Sequence, residues 1–378
     1  MIHKLPDSFG SFFLLIMKNL VQILRFLFFC IVLIFPFQIQ GETENSAFKK
    51  DSILAILDKV NSYQIKESFP FKSRNWKTST YFAGVMEFYK ATENIELLEQ
   101  AVQWAERQNW QVGNEWFFPA NNFTCVQTYL EIYLIKKDEK MIKDARQYMD
   151  SKMKHTEPAY EQGWDYIDAL FVGPPAFAMM GKATGDGQYI DFMNRMYWQL
   201  AGYLLDEDEK LFYRDMKARR TDKSDNDKKI LWSRGNGWAM ASIPRILTYL
   251  PKENPEYPKY EKLLQTMAAS LKNRQGDDGM WRVNLADAES HPNPESSGTA
   301  FFAYAMAWGI NNEILNRETY LPIIKKAWQA LYNAVDNDGK VCWGQSVSRD
   351  PNNVKKEDSE IYVSGAFLLA GSEILKLK

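Results

Sequence analysis

Cysteine and histidine are scarce in this chain, with three of each among 378 residues. Cys30, Cys125 and Cys342 cannot build a disulfide framework, and at most Cys125 and Cys342 can pair in an exported protein. The histidines, at positions 3, 155 and 291, do not cluster with cysteine, so the usual transition-metal sites are excluded and neither metal nor cofactor is expected. A charge excess is also missing. With 46 basic and 48 acidic side chains the formal net charge is −2, and nothing indicates a nucleic-acid partner. Strand-like alternation is scarce, and no internal sequence period is detectable, which argues against an array of short helical repeats.

Residues 1–41 read as a secretory signal. Lys18 and Arg25 precede an unbroken apolar run from Phe26 to Phe35, and a polar stretch begins at Gln38. Translation is expected to start at Met17, with cleavage near Gly41. The run is too short for a retained membrane anchor. Phe28 and Phe29 stand where a lipidation site at Cys30 would need small residues. The expected product is a periplasmic protein with no membrane contact beyond the export signal, folding as one domain over 42–378. A monomer and a homodimer both remain open.

What the chain has in quantity is apolar and aromatic surface, 46% hydrophobic and 14% aromatic. Helical periodicity appears in about twelve segments, 51–64, 78–92, 94–107, 122–136, 138–154, 166–183, 187–205, 236–250, 256–274, 297–311, 318–336 and 361–376. Junctions such as Thr92–Asn94 and Lys137–Asp138 are short, whereas 65–77, 108–121, 155–165, 206–235, 275–296 and 337–360 are long. Antiparallel helices joined alternately by short and long loops place every long loop at one end. Six such hairpins closing into a ring give an all-α (α/α)6 barrel. Seven of the twelve tryptophans (Trp76, Trp110, Trp116, Trp164, Trp232, Trp281 and Trp343) fall in the long loops, and Trp238 follows one. Disordered loops avoid tryptophan. Rings at one mouth can stack on sugars, and helix N-termini pointing there favour an anionic ligand, although packing of loops onto the barrel explains any single ring equally well.

Several segments carry candidate chemistry. In Trp232-Ser-Arg-Gly-Asn-Gly-Trp238 the two glycines allow close backbone approach, and Arg234 lies between rings with a fork suited to a carboxylate. The plain alternative is an Asn236 cap beside a solvated arginine. In Trp164-Asp-Tyr-Ile-Asp168, Asp165 is placed to cap a helix with Asp168 one turn inside, projecting toward the barrel axis. A carboxyl group in a ring-lined site has its pKa raised by desolvation, which suits a general acid, though Asp at a helix start is more often structural. Asn121-Asn122 brings amides to the same mouth, or caps the next helix. Phe212-Tyr-Arg214-Asp215 offers a second cation and carboxylate. Glu295-Ser-Ser-Gly-Thr299 reads mainly as caps, with Ser297 or Thr299 as ligand contacts. Asp278-Gly279 and Asp338-Gly339 read as turns presenting Trp281 and Trp343. His291 has no evident partner.

Together, Tyr166-Ile-Asp168-Ala-Leu-Phe, Leu211-Phe-Tyr-Arg-Asp215, the Trp232–Trp238 element, Glu295-Ser-Ser-Gly-Thr-Ala-Phe-Phe302 and Gly365-Ala-Phe-Leu-Leu-Ala-Gly-Ser-Glu373 resemble the unsaturated glucuronyl and rhamnogalacturonyl hydrolases, glycoside hydrolase families 88 and 105, over about residues 50–376. The resemblance implies the same barrel and a hydration reaction on the 4,5-unsaturated uronic acid that a polysaccharide lyase leaves at a non-reducing end. An aspartic acid protonates C4, water adds at C5, and the hemiketal rearranges to release the sugar. By motif position Asp168 is the implied acid, Trp232, Arg234 and Trp238 are implied substrate contacts, and Tyr166, Trp343, Asn121, Asn122 and Arg214 join them at the mouth. The chain departs from the family pattern twice. Asn121-Asn122 stands where an aspartate is common, and Arg214 stands where histidine is frequent. Asparagine can hydrogen-bond a hydroxyl or water but cannot act as a base.

Two other functions remain open on the sequence. A hydrolase of saturated β-glucuronides or other acidic glycans would need a second carboxylate, from Asp165, Asp215 or Glu295. A carbohydrate-binding protein with little turnover would keep the aromatic mouth and explain the asparagines.

Overall fold

The inner and outer walls of the structure follow directly from how much of each helix is apolar. In the computed structural model, which describes residues 46–215, 221–348 and 353–377, the helices are α1 (Lys50–Ser68), α2 (Trp76–Thr92), α3 (Ile95–Arg107), α4 (Thr124–Lys136), α5 (Lys143–Met153), the single turn α6 (Ala169–Val172), α7 (Pro174–Thr184), α8 (Gly187–Leu204), α9 (Ser233–Leu247), α10 (Tyr257–Lys272), α11 (Ser296–Asn311), α12 (Arg317–Asn333) and α13 (Ile361–Leu375). The described residues from Ala47 onward form one compact unit. The expected signal segment, with Met17 and Cys30, lies outside the described residues.

α3 buries Leu97, Leu98, Ala101, Trp104 and Ala105, one stripe at helical spacing, and keeps its charged face in water. In α11, by contrast, every residue from Ser296 to Ile310 is buried. A helix apolar on all sides belongs inside. Accordingly α2, α4, α7, α9, α11 and α13 pack in succession as an inner ring, and α13 closes on α2, while α1, α3, α5, α8, α10 and α12 lie outside. This is the expected (α/α)6 barrel. The ring closes tightly because Gly84 and Gly365 meet there. A Cβ on Gly84 would overlap the Gly365 carbonyl oxygen, and one on Gly365 would overlap that of Thr80.

Several expected boundaries shift. The helix expected over 166–183 is split at Gly173, where Pro174 and Pro175 supply no amide donors and the Trp164 ring occupies the place of a Cβ. The helix expected over 236–250 begins at Ser233, which brings Arg234 into its first turn. Short 3-10 turns, Pro119–Phe123 and Glu139–Met141, precede α4 and α5. The longest loop carries a two-residue hairpin, β1 (Leu205–Asp206) against β2 (Leu211–Phe212), in register Leu205 with Phe212. Cys125 and Cys342 are buried free thiols, so the disulfide held open by the sequence does not form.

Candidate active site

Each long loop leads into an inner helix, so all six inner N-termini face one end of the ring. A cavity of about 350 Å³ opens there, lined by Trp76 at the start of α2, Phe118 and Asn121 before α4, Tyr166, Asp168 and Val172, Arg214, then Trp232, Arg234 and Trp238 around the start of α9, and Val347 and Ser348. A larger groove of about 590 Å³ runs along the outer helices α1 and α3. It lies outside the ring and gathers none of the candidate side chains.

Asp168 occupies the N-cap position of α6, and its carboxylate makes no capping bond. The expected arrangement, with Asp165 as cap and Asp168 a turn inside, is therefore corrected. The helix starts later because the preceding strand-like segment is tied to the longest loop: Tyr166 bridges Asp215, and the Ile167 amide donates to the Arg214 carbonyl at 2.8 Å. Asp168 is thus left free of capping duty and faces the cavity. Burial pushes its carboxyl above the usual carboxylate range, and the positive charges of Arg214 and Arg234 pull it back only in part. A carboxyl group whose pKa is raised by burial is suited to donate a proton as a general acid.

Arg234 is 2% exposed, and the loop before α13 holds it: Nη1 donates to the carbonyls of Gln345 (2.9 Å) and Ser346 (3.0 Å) and to the Tyr362 hydroxyl (2.8 Å), and Nη2 to the Ser348 carbonyl (3.2 Å). Carbonyl dipoles stabilise the guanidinium without cancelling its charge, as a carboxylate would. Arg214 pairs with Asp215 at 2.5 Å, and its guanidinium carbon lies 5.8 Å from the centre of the Trp232 ring. Three buried donors of the lining, Arg214 Nε, Arg234 Nε and Trp238 Nε1, find no acceptor among the described residues. Buried donors in this number mark a place for an acceptor-rich ligand. The solvated Arg234 with an Asn236 cap is ruled out. Asn236 instead lies inside α9, accepting from the Phe212 amide (2.8 Å) and donating to its carbonyl (3.0 Å), which anchors the loop that carries Arg214.

Other sequence candidates stand elsewhere. Asn122 is turned away from the cavity lining, accepting from the Glu115 amide (2.7 Å) and donating to the Glu115 carbonyl (2.9 Å). Trp343 packs on Trp232, Val283 and Val354 behind the lining. Trp281 is fully buried and donates to the Leu271 carbonyl at 2.9 Å, so its turn presents no ring. Glu295 caps α11 through the amides of Ser297 (2.8 Å) and Gly298 (2.7 Å). Ser297 donates to Glu295 and Thr299 to the Glu295 carbonyl, so both are caps rather than ligand contacts. His291 bonds Ser290 at 2.9 Å. Nothing in the sequence singles out Glu115, yet its carboxylate accepts from Asn121 Nδ2 at 2.8 Å, while Asn121 Oδ1 accepts from the Tyr166 hydroxyl at 2.9 Å.

A six-hairpin toroid with one acid, two arginines and a wall of indoles at the N-terminal mouth defines a carbohydrate-active hydrolase. Residues 51–378 match the family model described as Glycosyl Hydrolase Family 88, and the chain belongs to that family. It is 34% identical over 333 residues to an "Unsaturated 3S-rhamnoglycuronyl hydrolase" of Alteromonas sp. (strain LOR), covering 82% of this chain and 80% of that one. It is 31% identical over 328 residues to a protein of the same name from Formosa agariphila, covering 82% and 86%. The structure resembles a glycosyl hydrolase family 88 protein from Bacteroides vulgatus, with a TM-score of 0.82, 31% identity and 86% and 99% of the two chains covered.

Proposed function

We propose that Asp168 is the acid that hydrates the 4,5-unsaturated uronic acid in this unsaturated uronyl hydrolase. The observation that carries this reading is that Asp168 is the sole carboxylate among the described residues lining the cavity. Displacement at an anomeric carbon by the usual route needs a pair of carboxyl groups across the bond. Hydration of an enol ether needs one. Asp168 gives its proton to C4, the developing cation at C5 is quenched by water, and that water's proton returns to the Asp168 carboxylate. The product is a hemiketal at C5. Its ring opens, the C1 linkage is lost with the rearrangement, and the shortened oligosaccharide leaves with a free hydroxyl. The uronate carboxylate sits against C5, and Arg234 with the unsatisfied donors of Arg214 and Trp238 supports binding of that group.

The two rhamnoglycuronyl hydrolases support rhamnose as the neighbouring sugar. The apolar stretch Phe26–Phe35 supports export to the periplasm, where lyase products would be met. A saturated glucuronide has less support, because Asp215 is held by Arg214, Glu295 is committed to a cap, and Asp165 is absent from the lining.

The test is the ultraviolet absorbance of the C4–C5 double bond in lyase digests of several uronate polymers, rhamnose-containing ones among them, with Asp168→Asn in parallel. Loss of absorbance with wild type alone supports the reading, and the digest that responds identifies the polymer. Cleavage of saturated glucuronides with the double bond untouched would overturn it, and tight binding with no turnover of either would leave a binding protein.

A further inference from the structure

Asn121 lines the cavity and is 7% exposed, yet both ends of its amide are engaged: Nδ2 donates to Glu115 Oε2 at 2.8 Å, and Oδ1 accepts from the Tyr166 hydroxyl at 2.9 Å. An amide can be turned end for end with little change in shape, so something must decide which end faces which neighbour. An ionised carboxylate only accepts hydrogen bonds. Glu115 therefore holds the nitrogen end toward itself and leaves the oxygen toward Tyr166. The phenol proton is then committed to Asn121, and the phenol oxygen keeps acceptor capacity only.

Tyr166 is 6% exposed, lines the same cavity and stands two residues before Asp168. Burial, with the negative charges of Asp168 and Glu115 behind it, keeps the phenol protonated far above neutral pH, so the direction of its proton is the variable that matters. Besides Asp168, which is taken up by the proton transfer, the lining presents donors from Arg214, Arg234 and Trp238. A hydroxyl group of the sugar, or the attacking water, needs an acceptor.

We propose that Glu115 is a positioning residue: through the Asn121 amide it turns the Tyr166 hydroxyl into a hydrogen-bond acceptor beside Asp168, orienting a hydroxyl or water for the hydration step. This rests on the hydrolase reading above. Glu115 is not among the residues lining the cavity, and its influence passes through one amide.

The experiment is a charge relocation, assayed by double-bond loss with kcat and KM separated and thermal melting recorded for every protein. In Glu115→Gln the new amide can donate or accept, Asn121 can turn over, and the Tyr166 proton is no longer directed; kcat is expected to fall roughly tenfold, with KM changing much less. Asn121→Asp sets two carboxylates in contact and is expected to be worse. The double variant, Glu115→Gln with Asn121→Asp, restores the pattern: the amide introduced at position 115 donates to the carboxylate introduced at position 121, whose other oxygen accepts from Tyr166, and the total charge is that of wild type. Recovery of the double variant above both single variants, to within about threefold of wild-type kcat, is the expected result. Wild-type kcat in Glu115→Gln, or a double variant no better than Asn121→Asp, would overturn the proposal. Wild-type protein that consumes no double bond would instead sink the functional reading, so the two failures are distinguishable.

Discussion

Arg234 sits over the Trp232 ring, its guanidinium carbon 4.3 Å from the ring centroid, and the two are the second residue and the N-cap of the same helix. The Tyr362 ring lies 5.3 Å from the same guanidinium carbon. The cation is thus held by rings and by the backbone carbonyls of residues 345, 346 and 348. Lysine in its place carries the same charge but has no planar fork to span those acceptors and stacks less well. Arg234→Lys is expected to lower kcat/KM at least tenfold, with most of the loss in KM, and to lower the melting temperature because the 345–348 segment loses its anchor. Steady-state kinetics and thermal unfolding check both.

The barrel is legible because loop length alternates, a property that survives any uncertainty about helix ends. Periodicity is a weaker guide on the inner ring. α11 and α13 are buried on nearly every side, so they show no polar stripe from which to set a boundary, and α9 begins three residues earlier than expected. Asp168 is found from its motif, but its place at the N-cap depends on the tie between Ile167 and Arg214, a backbone contact 47 positions apart in sequence that no side-chain pattern records. Backbone carbonyls around Arg234 are silent for the same reason. Glu115 is missed because a single acid in a loop has no period and no motif; only the fold shows that Asn121 bonds it. The tryptophans divide as packing dictates: Trp164 and Trp281 serve the core, Trp76, Trp232 and Trp238 the cavity, and Trp116 stands 88% exposed.

The two buried cysteines give a simple check on the arrangement of the inner ring. Burial pushes the Cys125 thiol up to about 12, so almost no thiolate exists at neutral pH, and thiolate is the reactive form. In the native protein Cys125 and Cys342 are expected to resist an aromatic disulfide reagent, and both should react once the chain is unfolded. A reductant should leave the melting temperature unchanged. A fall in melting temperature on reduction would show a cross-link that the structure lacks.

At the end of the ring opposite the cavity, Arg245 on α9 and Glu131 on α4 form an ion pair at 3.1 Å with both side chains 1% exposed, and Lys90 on α2 reaches the same Glu131 oxygen at 2.7 Å. Arg245 Nε also donates to Gln127 at 2.7 Å. Removing Arg245 leaves the buried Glu131 with Lys90 as its partner, so the loss is at most about 3–5 kcal/mol, the cost of a fully stranded buried charge. Arg245→Met is expected to destabilise the fold by up to that amount in urea unfolding. Equal stability of Arg245→Met and wild type would mean that this pair contributes nothing to closing the base of the barrel.

The acid at position 168 makes a prediction whose sign can be fixed in advance. Its folded pKa is raised by burial, so between the ordinary aspartate value and that raised value the folded state holds a proton that the unfolded state releases. The stability this group contributes is therefore lost as pH rises through that window, and above it the ionised carboxylate is a burden on the fold. Asp168→Asn removes the burden together with the acid. The variant should melt at or above the wild-type temperature at neutral pH while losing at least 100-fold in kcat, the range expected for a general acid. Activity that depends on the protonated form must fall on the alkaline side. Arg214 opposes the upward shift, so Arg214→Gln should move the alkaline limb to higher pH. A limb that moves to lower pH in Arg214→Gln would assign the titration to a group other than Asp168.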